Sequence, residues 1–171
     1  MESGNDAEHP TQPPVSRSRV EQDFIIGFES IGTPEFFRNV EATFSEDCVL
    51  VCNCPRTMVQ LGGAHHGIHA ALRALRSFFV EFEVFATSVD DIVLDGAHVI
   101  VDYNMSLRHV GTSRAGVFKG INRYMLDANR KVVKCDIFLD IASLAVIGDM
   151  LDHLAETARG FDLLRRPKPD A

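Results

Sequence analysis

Residues 83–108 read EVFATSVDDIVLDGAHVIVDYNMSLR, two extended stretches separated by Asp95 and Gly96. Alternating apolar and polar residues are typical of β-strands, and an Asp-Gly pair between two such stretches indicates a tight hairpin. Two further predicted strands, residues 117–126 and 131–140, follow after short turns. Because short connections join antiparallel neighbours, the second half of the chain predicts an antiparallel meander.

Helical periodicity characterises the first half of the chain. Apolar residues three and four positions apart predict a helix that ends at Gly32, a second whose apolar face runs from Phe36 to Phe44, and a third that follows Gly67. Residues 48–54 (CVLVCNC) predict a buried strand, and a closing helix follows the meander. Helices gathered early and strands late predict an α+β fold, with helices on one face of a curved, mostly antiparallel sheet that encloses a pocket.

The length of 171 residues is that of a single domain. Residues 1–17 are polar, contain three prolines and lack periodicity, so they predict a disordered tail. Residues 18–160 are the predicted α+β domain, and residues 161–171 are predicted to form a frayed C-terminal tail.

The composition argues against several classes of partner. A net charge of −7 disfavours nucleic acid, which attracts basic surfaces. No apolar run approaches the roughly 20 residues of a membrane span, and the first residues lack the features of a signal peptide. The four cysteines do not have zinc-ligand spacing. We therefore expect a cytoplasmic protein with reduced thiols, without a metal or other cofactor, that binds neither nucleic acid nor membrane.

Three local sequences resemble those of a known superfamily. They are FSED at residues 44–47 before a strand ending in NCP at 53–55, HGIHAAL at 66–72, and RKVVKCDIFLD at 130–140. Their order and spacing over residues 19–147 are similar to the SnoaL-like branch of the nuclear transport factor 2-like superfamily, whose members include ketosteroid isomerases, limonene epoxide hydrolases, scytalone dehydratases and polyketide cyclases. The resemblance implies a cystatin-like cone of N-terminal helices packed on the sheet around a pocket. Function does not follow from it directly, because this scaffold hosts many chemistries.

Alternation predicts which strand residues face the pocket. Lys119 and Arg123 share one face of their strand, which turns Asn122 and Tyr124 inward. In the last strand the predicted inward residues are Cys135, Ile137 and Leu139. Asn122 is thus a polar side chain on an otherwise apolar inner face.

The resemblance implies roles for three residues in or near the predicted pocket. Asn122 matches the place where ketosteroid isomerases hold a protonated aspartate, and its amide donates the same hydrogen bond to an oxyanion. Asn53 matches the region of the isomerase base and of the epoxide hydrolase's water-holding asparagine, although an asparagine cannot act as a base. For both residues the alternative is a purely structural hydrogen bond to nearby backbone. Phe28 falls near the isomerase's first-helix tyrosine and is expected to contact substrate.

Residues 98–108 allow two opposite orientations. Simple alternation leaves Asp102 and Asn104 in solvent and buries the apolar set Val99, Val101, Tyr103, Met105 and Leu107. The resemblance instead turns Asp102 and Asn104 inward, and we adopt that orientation. Asp102 is then the candidate acid or base of the pocket. The apolar set would lie on the outer sheet face, which predicts a homodimer through that face.

Three histidines, His65, His66 and His69, crowd the start of the third helix. His66 and His69 have a spacing that suits a metal pair, but no further ligand accompanies them. His66 is therefore a candidate acid or base at the pocket rim, with surface or capping histidines as the alternative.

These residues together predict a small-molecule enzyme of the isomerase, dehydratase or cyclase type, acting by acid–base chemistry on an apolar, polycyclic or terpenoid ligand. Asp102 would move the proton, while asparagines orient substrate or water: Asn53, Asn104 and Asn122. Two alternatives stay open, namely a non-catalytic ligand-binding or assembly module and an epoxide-hydrolase-like enzyme that activates water.

Overall fold

The structure is a computed structural model that describes residues 17–150, with side chains from residue 19 onward. In chain order its elements are α1 (Arg17–Glu29), α2 (Pro34–Thr43), β1 (Phe44–Cys52), β2 (Gly63–His66), α3 (Ile68–Glu81), β3 (Phe82–Asp95), β4 (His98–His109), β5 (Ala115–Leu126), β6 (Val132–Leu139) and α4 (Ile141–Gly148).

The strands of this part of the chain form one six-stranded sheet in the order β2-β1-β6-β5-β4-β3. Strands β3 to β6 are the antiparallel meander that alternation predicts. β1 pairs parallel to β6 and antiparallel to β2, so the sheet is mixed but mostly antiparallel. Register shifts beside Val84 and Val89 mark bulges in β3, and bulges bend a sheet. The predicted α+β fold is confirmed.

The helices lie across the inner face of the sheet, where their apolar sides are covered. α2 begins at Pro34 because Thr33 caps it, its side chain accepting a hydrogen bond from the Phe36 amide. In α3 the apolar residues at helical spacing are buried against the sheet: Ile68, Ala71, Leu72, Leu75 and Phe78.

Two local features differ from the sequence prediction. Phe44, predicted to lie on the apolar face of the second helix, is the C-cap of α2 and the first residue of β1. Residues 63–66, for which the sequence pattern predicted no strand, form β2 and pair with the end of β1. Four residues are too few to show an alternating pattern, so this short strand depends on its ladder with β1.

The tail predicted at residues 161–171 lies outside the described residues, as does the tail predicted at residues 1–17, except that Arg17 already belongs to α1. α4 begins after Asp140, which accepts a hydrogen bond from the Ser143 amide, and ends at Asp149 in the left-handed region. Within residues 17–150, no helix combines the length and the apolar character needed to cross a membrane.

Candidate ligand-binding site

A cavity of about 570 Å³ lies between the inner face of the sheet and the first three helices. Its wall is mainly apolar and aromatic, with contributions from α1, α2, α3 and the sheet that include Phe24, Phe36, Val40, Leu75, Phe118 and Ile137. Cavities of a few hundred cubic ångströms accept drug-sized molecules. The interior of the fold therefore has room for a small organic ligand.

Aromatic rings of α1 pack on two tyrosines of the sheet. The ring centroids of Phe28 and Tyr103 are 4.8 Å apart, and those of Phe24 and Tyr124 are 4.9 Å apart. Both distances lie in the favourable range for aromatic pairs. These contacts hold α1 over β4 and β5 and keep both tyrosine rings buried in the cavity wall.

The buried polar side chains of the wall form a Tyr-Asn-Tyr cluster, which consists of Tyr103, Asn122 and Tyr124. The Tyr103 hydroxyl donates to Asn122 Oδ1 at 3.2 Å, and Asn122 Nδ2 donates to the Tyr124 hydroxyl at 2.9 Å. These bonds use one of the two amide protons of Asn122 and one of its two carbonyl lone pairs. A ligand can therefore meet both a donor and an acceptor at Asn122.

The Tyr-Asn-Tyr cluster and the neighbouring thiol of Cys135 are neutral. Burial is the main cause that raises the pKa of Tyr103, of Tyr124 and of Cys135 well above the usual values of these groups. Each therefore keeps its proton at physiological pH. Neutral donors and acceptors suit a carbonyl or hydroxyl oxygen better than a charged group.

The exposed residues that line the cavity form its mouth. In the described part of the chain they are Arg19, Asp23, Ile26, Thr43 and Arg130. They come from α1, from the last residue of α2 and from the turn between β5 and β6. The mouth thus carries two guanidinium groups and one carboxylate, whereas the deeper wall is uncharged.

The structure places in the cavity wall one residue predicted to be catalytic, Asn122, and several predicted to bind substrate. They are Phe28, Asn122, Tyr124, Cys135, Ile137 and Leu139. Five of them come from β5 and β6, whose alternation was sufficient to orient their side chains. That these residues contact a ligand remains a prediction.

The predicted inward orientation of Asp102 and Asn104 is wrong. Both side chains lie on the outer sheet face, where Lys119 Nζ is 3.1 Å from Asp102 Oδ2 and Asn104 donates to Asp90 at 2.7 Å. The residues of β4 that are buried instead are Val99, Val101, Tyr103, Met105 and Leu107. The helices cover this apolar set, whereas a carboxylate turned into the apolar cavity would be strongly destabilising. Asp102 is therefore not a base in this cavity, and the outer apolar stripe from which the homodimer was predicted is buried.

Asn53 and His66 do not line the cavity either. Asn53 Nδ2 donates to the Leu139 carbonyl at 3.1 Å, and Asn53 Oδ1 accepts from the Leu139 amide at 2.9 Å. This pair of bonds joins the end of β1 to β6. Asn53 therefore makes structural hydrogen bonds to backbone, which was the alternative to a role in the pocket. His66 is exposed on β2 opposite Val49. In residues 19–150, no group of three or more His, Cys, Asp or Glu side chains is placed to hold a metal ion.

Tyr103 is the site residue that the sequence prediction missed. Simple alternation along β4 turns it inward, but the resemblance favoured the opposite orientation. Gly120 also signals its position, because a Cβ on Gly120 would lie 2.4 Å from Tyr103 Cζ. Arg19 and Arg130 offered no signal, since they are distant in sequence and line the same cavity only in the folded chain.

No protein-family model and no curated protein matches the sequence of the chain. Solved structures match its fold. A nuclear transport factor 2-like protein of unknown function from Burkholderia pseudomallei K96243 has a TM-score of 0.66 at 17% identity, covering 74% of this chain and 95% of that one. A protein assigned as a SnoaL-like polyketide cyclase, from Jannaschia sp. CCS1, has a TM-score of 0.66 at 13% identity, covering 80% and 97%. TerC, co-crystallised with polyporic acid, has a TM-score of 0.61 at 10% identity, covering 75% and 97%.

At these identities the likeness establishes the fold. The chain has the nuclear transport factor 2-like fold, the α+β cone that the resemblance implied. In this chain the cone encloses an apolar cavity with one neutral hydrogen-bonding cluster and a charged mouth.

Proposed function

We propose that the chain binds an apolar, ring-containing small molecule that carries a carbonyl or hydroxyl group, with the rings in the cavity and the oxygen at the Tyr-Asn-Tyr cluster. The observation that carries this proposal is a single neutral cluster in an otherwise apolar, ligand-sized wall. TerC, a protein of the same fold, was crystallised with polyporic acid, which is a precedent for small-molecule binding by this scaffold.

The apolar wall would supply most of the affinity, because burial contributes about 25 cal/mol per Å² of apolar surface. The cluster would mainly orient the ligand. Its members already bond to one another, so an added hydrogen bond to Asn122 is worth about 0.5–1.5 kcal/mol. We therefore expect the site to prefer ligands with an oxygen at one end without excluding those that lack it.

A catalytic role of the isomerase, dehydratase or cyclase type is the second candidate. Neutral donors beside a carbonyl would stabilise an oxyanion in such a reaction. The reaction also needs a base, and within the described chain Asp23 is the carboxylate that lines the cavity. Under this proposal Asp23 accepts the proton at the mouth. An epoxide-hydrolase-like reaction is the weakest candidate, because the cluster lacks a carboxylate to activate water.

We also propose that a second copy of the chain covers the outer sheet face. Ile100, Ile121 and Phe138 are exposed there, with Ile121 and Phe138 directly opposite each other on β5 and β6. The charged residues around them carry both signs and pair with one another: Asp90, Asp102, Lys119, Arg123, Lys134 and Asp136. A face with balanced charges does not repel its own copy, even in a chain of net charge −7.

Ligand binding can be tested with prodan, a neutral naphthyl ketone whose emission shifts to the blue in apolar surroundings. Gly27 lines the cavity from α1, and a Cβ there meets no atom within 4 Å. Gly27→Phe therefore places a ring in the ligand's space, whereas Gly27→Ala adds one methyl group and serves as its matched control. Titration of prodan with each variant, at equal protein concentration, gives the dissociation constants.

We expect saturable, blue-shifted binding to the wild type and to Gly27→Ala, and a loss of affinity on the order of ten-fold for Gly27→Phe. Asp102→Asn, on the opposite face of the sheet, is expected to leave binding unchanged. The proposal fails if prodan does not bind saturably, or if Gly27→Phe binds it as tightly as the wild type does.

A further inference from the structure

The mouth of the cavity is positively charged in an acidic protein. Among the described residues that line it, the ionised side chains are Arg19 and Arg130 against the one carboxylate of Asp23, whereas the whole chain has a net charge of −7. A cavity that takes only neutral ligands has no need of guanidinium groups at its entrance. The charge of the mouth thus indicates a second recognition element, separate from the neutral cluster in the wall.

Arg130 occupies a backbone position that favours glycine. In the turn between β5 and β6, the Arg130 amide donates to the Asp127 carbonyl at 3.0 Å, and φ of Arg130 is +64°. This left-handed conformation is unfavourable for a residue with a Cβ, and glycine would serve the same turn. The presence of arginine is therefore not explained by the turn, and its side chain lines the cavity.

Both guanidinium groups at the mouth are free to meet an anion. Within residues 19–150, no ion pair joins Arg19 or Arg130 to a carboxylate, whereas six other cations of the same region have one: Arg38, Arg108, Arg114, Lys119, Arg123 and Lys134. The two charged residues near Arg130 in the turn, Asp127 and Lys131, already have hydrogen-bond partners. Lys131 donates to the Ala42 carbonyl, and Asp127 accepts from the Lys131 amide at 2.8 Å.

We infer that the mouth binds a carboxylate carried by the ligand whose apolar body fills the cavity. This inference rests on the proposed function and narrows its ligand class to aromatic or alicyclic carboxylic acids with an oxygen at the far end. A guanidinium group presents parallel N–H donors that match a carboxylate. The neutral cluster orients one end of such a molecule, and Arg19 and Arg130 hold the other.

The test compares an acetylphenyl-butanoic acid with its methyl ester, both as competitors of prodan on the full chain at pH 7.5. The two ligands share their ring and ketone and differ only in the carboxylate. Arg130→Gln and Arg130→Gly remove the guanidinium, and Arg73→Gln, an exposed arginine of α3, is the matched control. Salt is varied from low to high concentration, because exposed charge pairs are screened.

We expect the acid to bind the wild type about five-fold more tightly than the ester at low salt, a preference of the size that exposed charge pairs give. High salt and both Arg130 variants should abolish the preference for the acid and leave the affinity for the ester unchanged. Arg73→Gln should keep the preference for the acid. Arg130→Gly is expected to melt no lower than the wild type, because glycine suits the turn, so a misfolded turn does not explain the loss.

The inference is overturned if the wild type binds both competitors equally, or if the Arg130 variants lose ester and acid to the same extent. The inference is also overturned if prodan binds but neither the acid nor the ester displaces the bound prodan. In all three cases the proposed function stands. If prodan itself does not bind, the proposed function fails and this inference fails with it.

Discussion

Substitution of Gly120 by alanine tests whether Tyr103 has the position on which the cluster depends. Gly120 lies directly opposite Tyr103 in the ladder between β5 and β4. A Cβ on Gly120 would lie 2.4 Å from Tyr103 Cζ, 2.5 Å from its hydroxyl oxygen and 2.8 Å from Cε2. The ring cannot move away easily, because it is buried and packs on Phe28 at a centroid distance of 4.8 Å.

The magnitude follows from two opposing effects. Overpacking a rigid core typically destabilises a protein by roughly 1–3 kcal/mol, and we expect about 2 kcal/mol for a single methyl group. Alanine also restricts the unfolded chain relative to glycine, which offsets roughly 0.5–1 kcal/mol. We therefore expect Gly120→Ala to lower the free energy of unfolding by about 1–1.5 kcal/mol. Since the displaced hydroxyl no longer reaches Asn122 at 3.2 Å, affinity for prodan should also fall.

The assay is urea denaturation of a double-mutant cycle with Tyr103→Leu, which removes the three atoms that a Cβ would overlap. Alone, Tyr103→Leu should cost about 2–4 kcal/mol through lost packing and a lost hydrogen bond. In its background, where the overlapping atoms are gone, Gly120→Ala should stabilise the protein by roughly 0.5–1 kcal/mol, giving a coupling energy of about 2 kcal/mol. Strict additivity, or a Gly120→Ala variant as stable as the wild type, would refute the reasoning. Gly27→Ala, whose added Cβ meets no atom within 4 Å, should instead stabilise the protein and controls for the glycine effect.

Two further predictions concern a helix cap and the outer sheet face. Hydrogen bonds from Ser143 lower the pKa of Asp140, so its contribution to stability is present above the unfolded pKa of about 3.9 and is lost as pH falls through the folded value. Asp140→Ala should therefore lower the free energy of unfolding by about 1 kcal/mol in urea denaturation at pH 7. This difference from the wild type should shrink below about pH 4. A difference that grows in acid would contradict the role of Asp140 as a helix cap. In sedimentation at micromolar concentration the wild type should behave as a dimer and Ile121→Asp as a monomer, and a strictly monomeric wild type would reject the proposed interface.

Much of the site was accessible from local patterns. Asn122 and Tyr124 were placed in the wall because Lys119 and Arg123 have to face solvent. The same alternation turned Cys135, Ile137 and Leu139 inward. These strands alternate cleanly because each has one polar face and one apolar face, so one orientation buries far more apolar surface than the other.

β4 shows where such patterns become ambiguous. Its buried face is apolar from Val99 to Leu107, yet its outer face also carries Ile100, so the strand itself does not exclude a reversed orientation. The resemblance to enzymes of the same fold selected the reversed one and placed Asp102 in the cavity. Packing under the helices decides the question, because Tyr103 needs the space above Gly120 and the contact with Phe28.

The sequence by itself determined the helices, the meander, the α+β class and the inward residues of β5 and β6, since each depends on neighbours within a few positions along the chain. Only the tertiary structure decided the parallel pairing of β1 with β6, the strand β2, the Tyr-Asn-Tyr cluster and the mouth. These features join segments that are far apart in sequence. Their partners are selected by which arrangement of helices and sheet buries the most apolar surface while leaving few buried polar groups without a hydrogen bond, and that balance is a property of the whole fold.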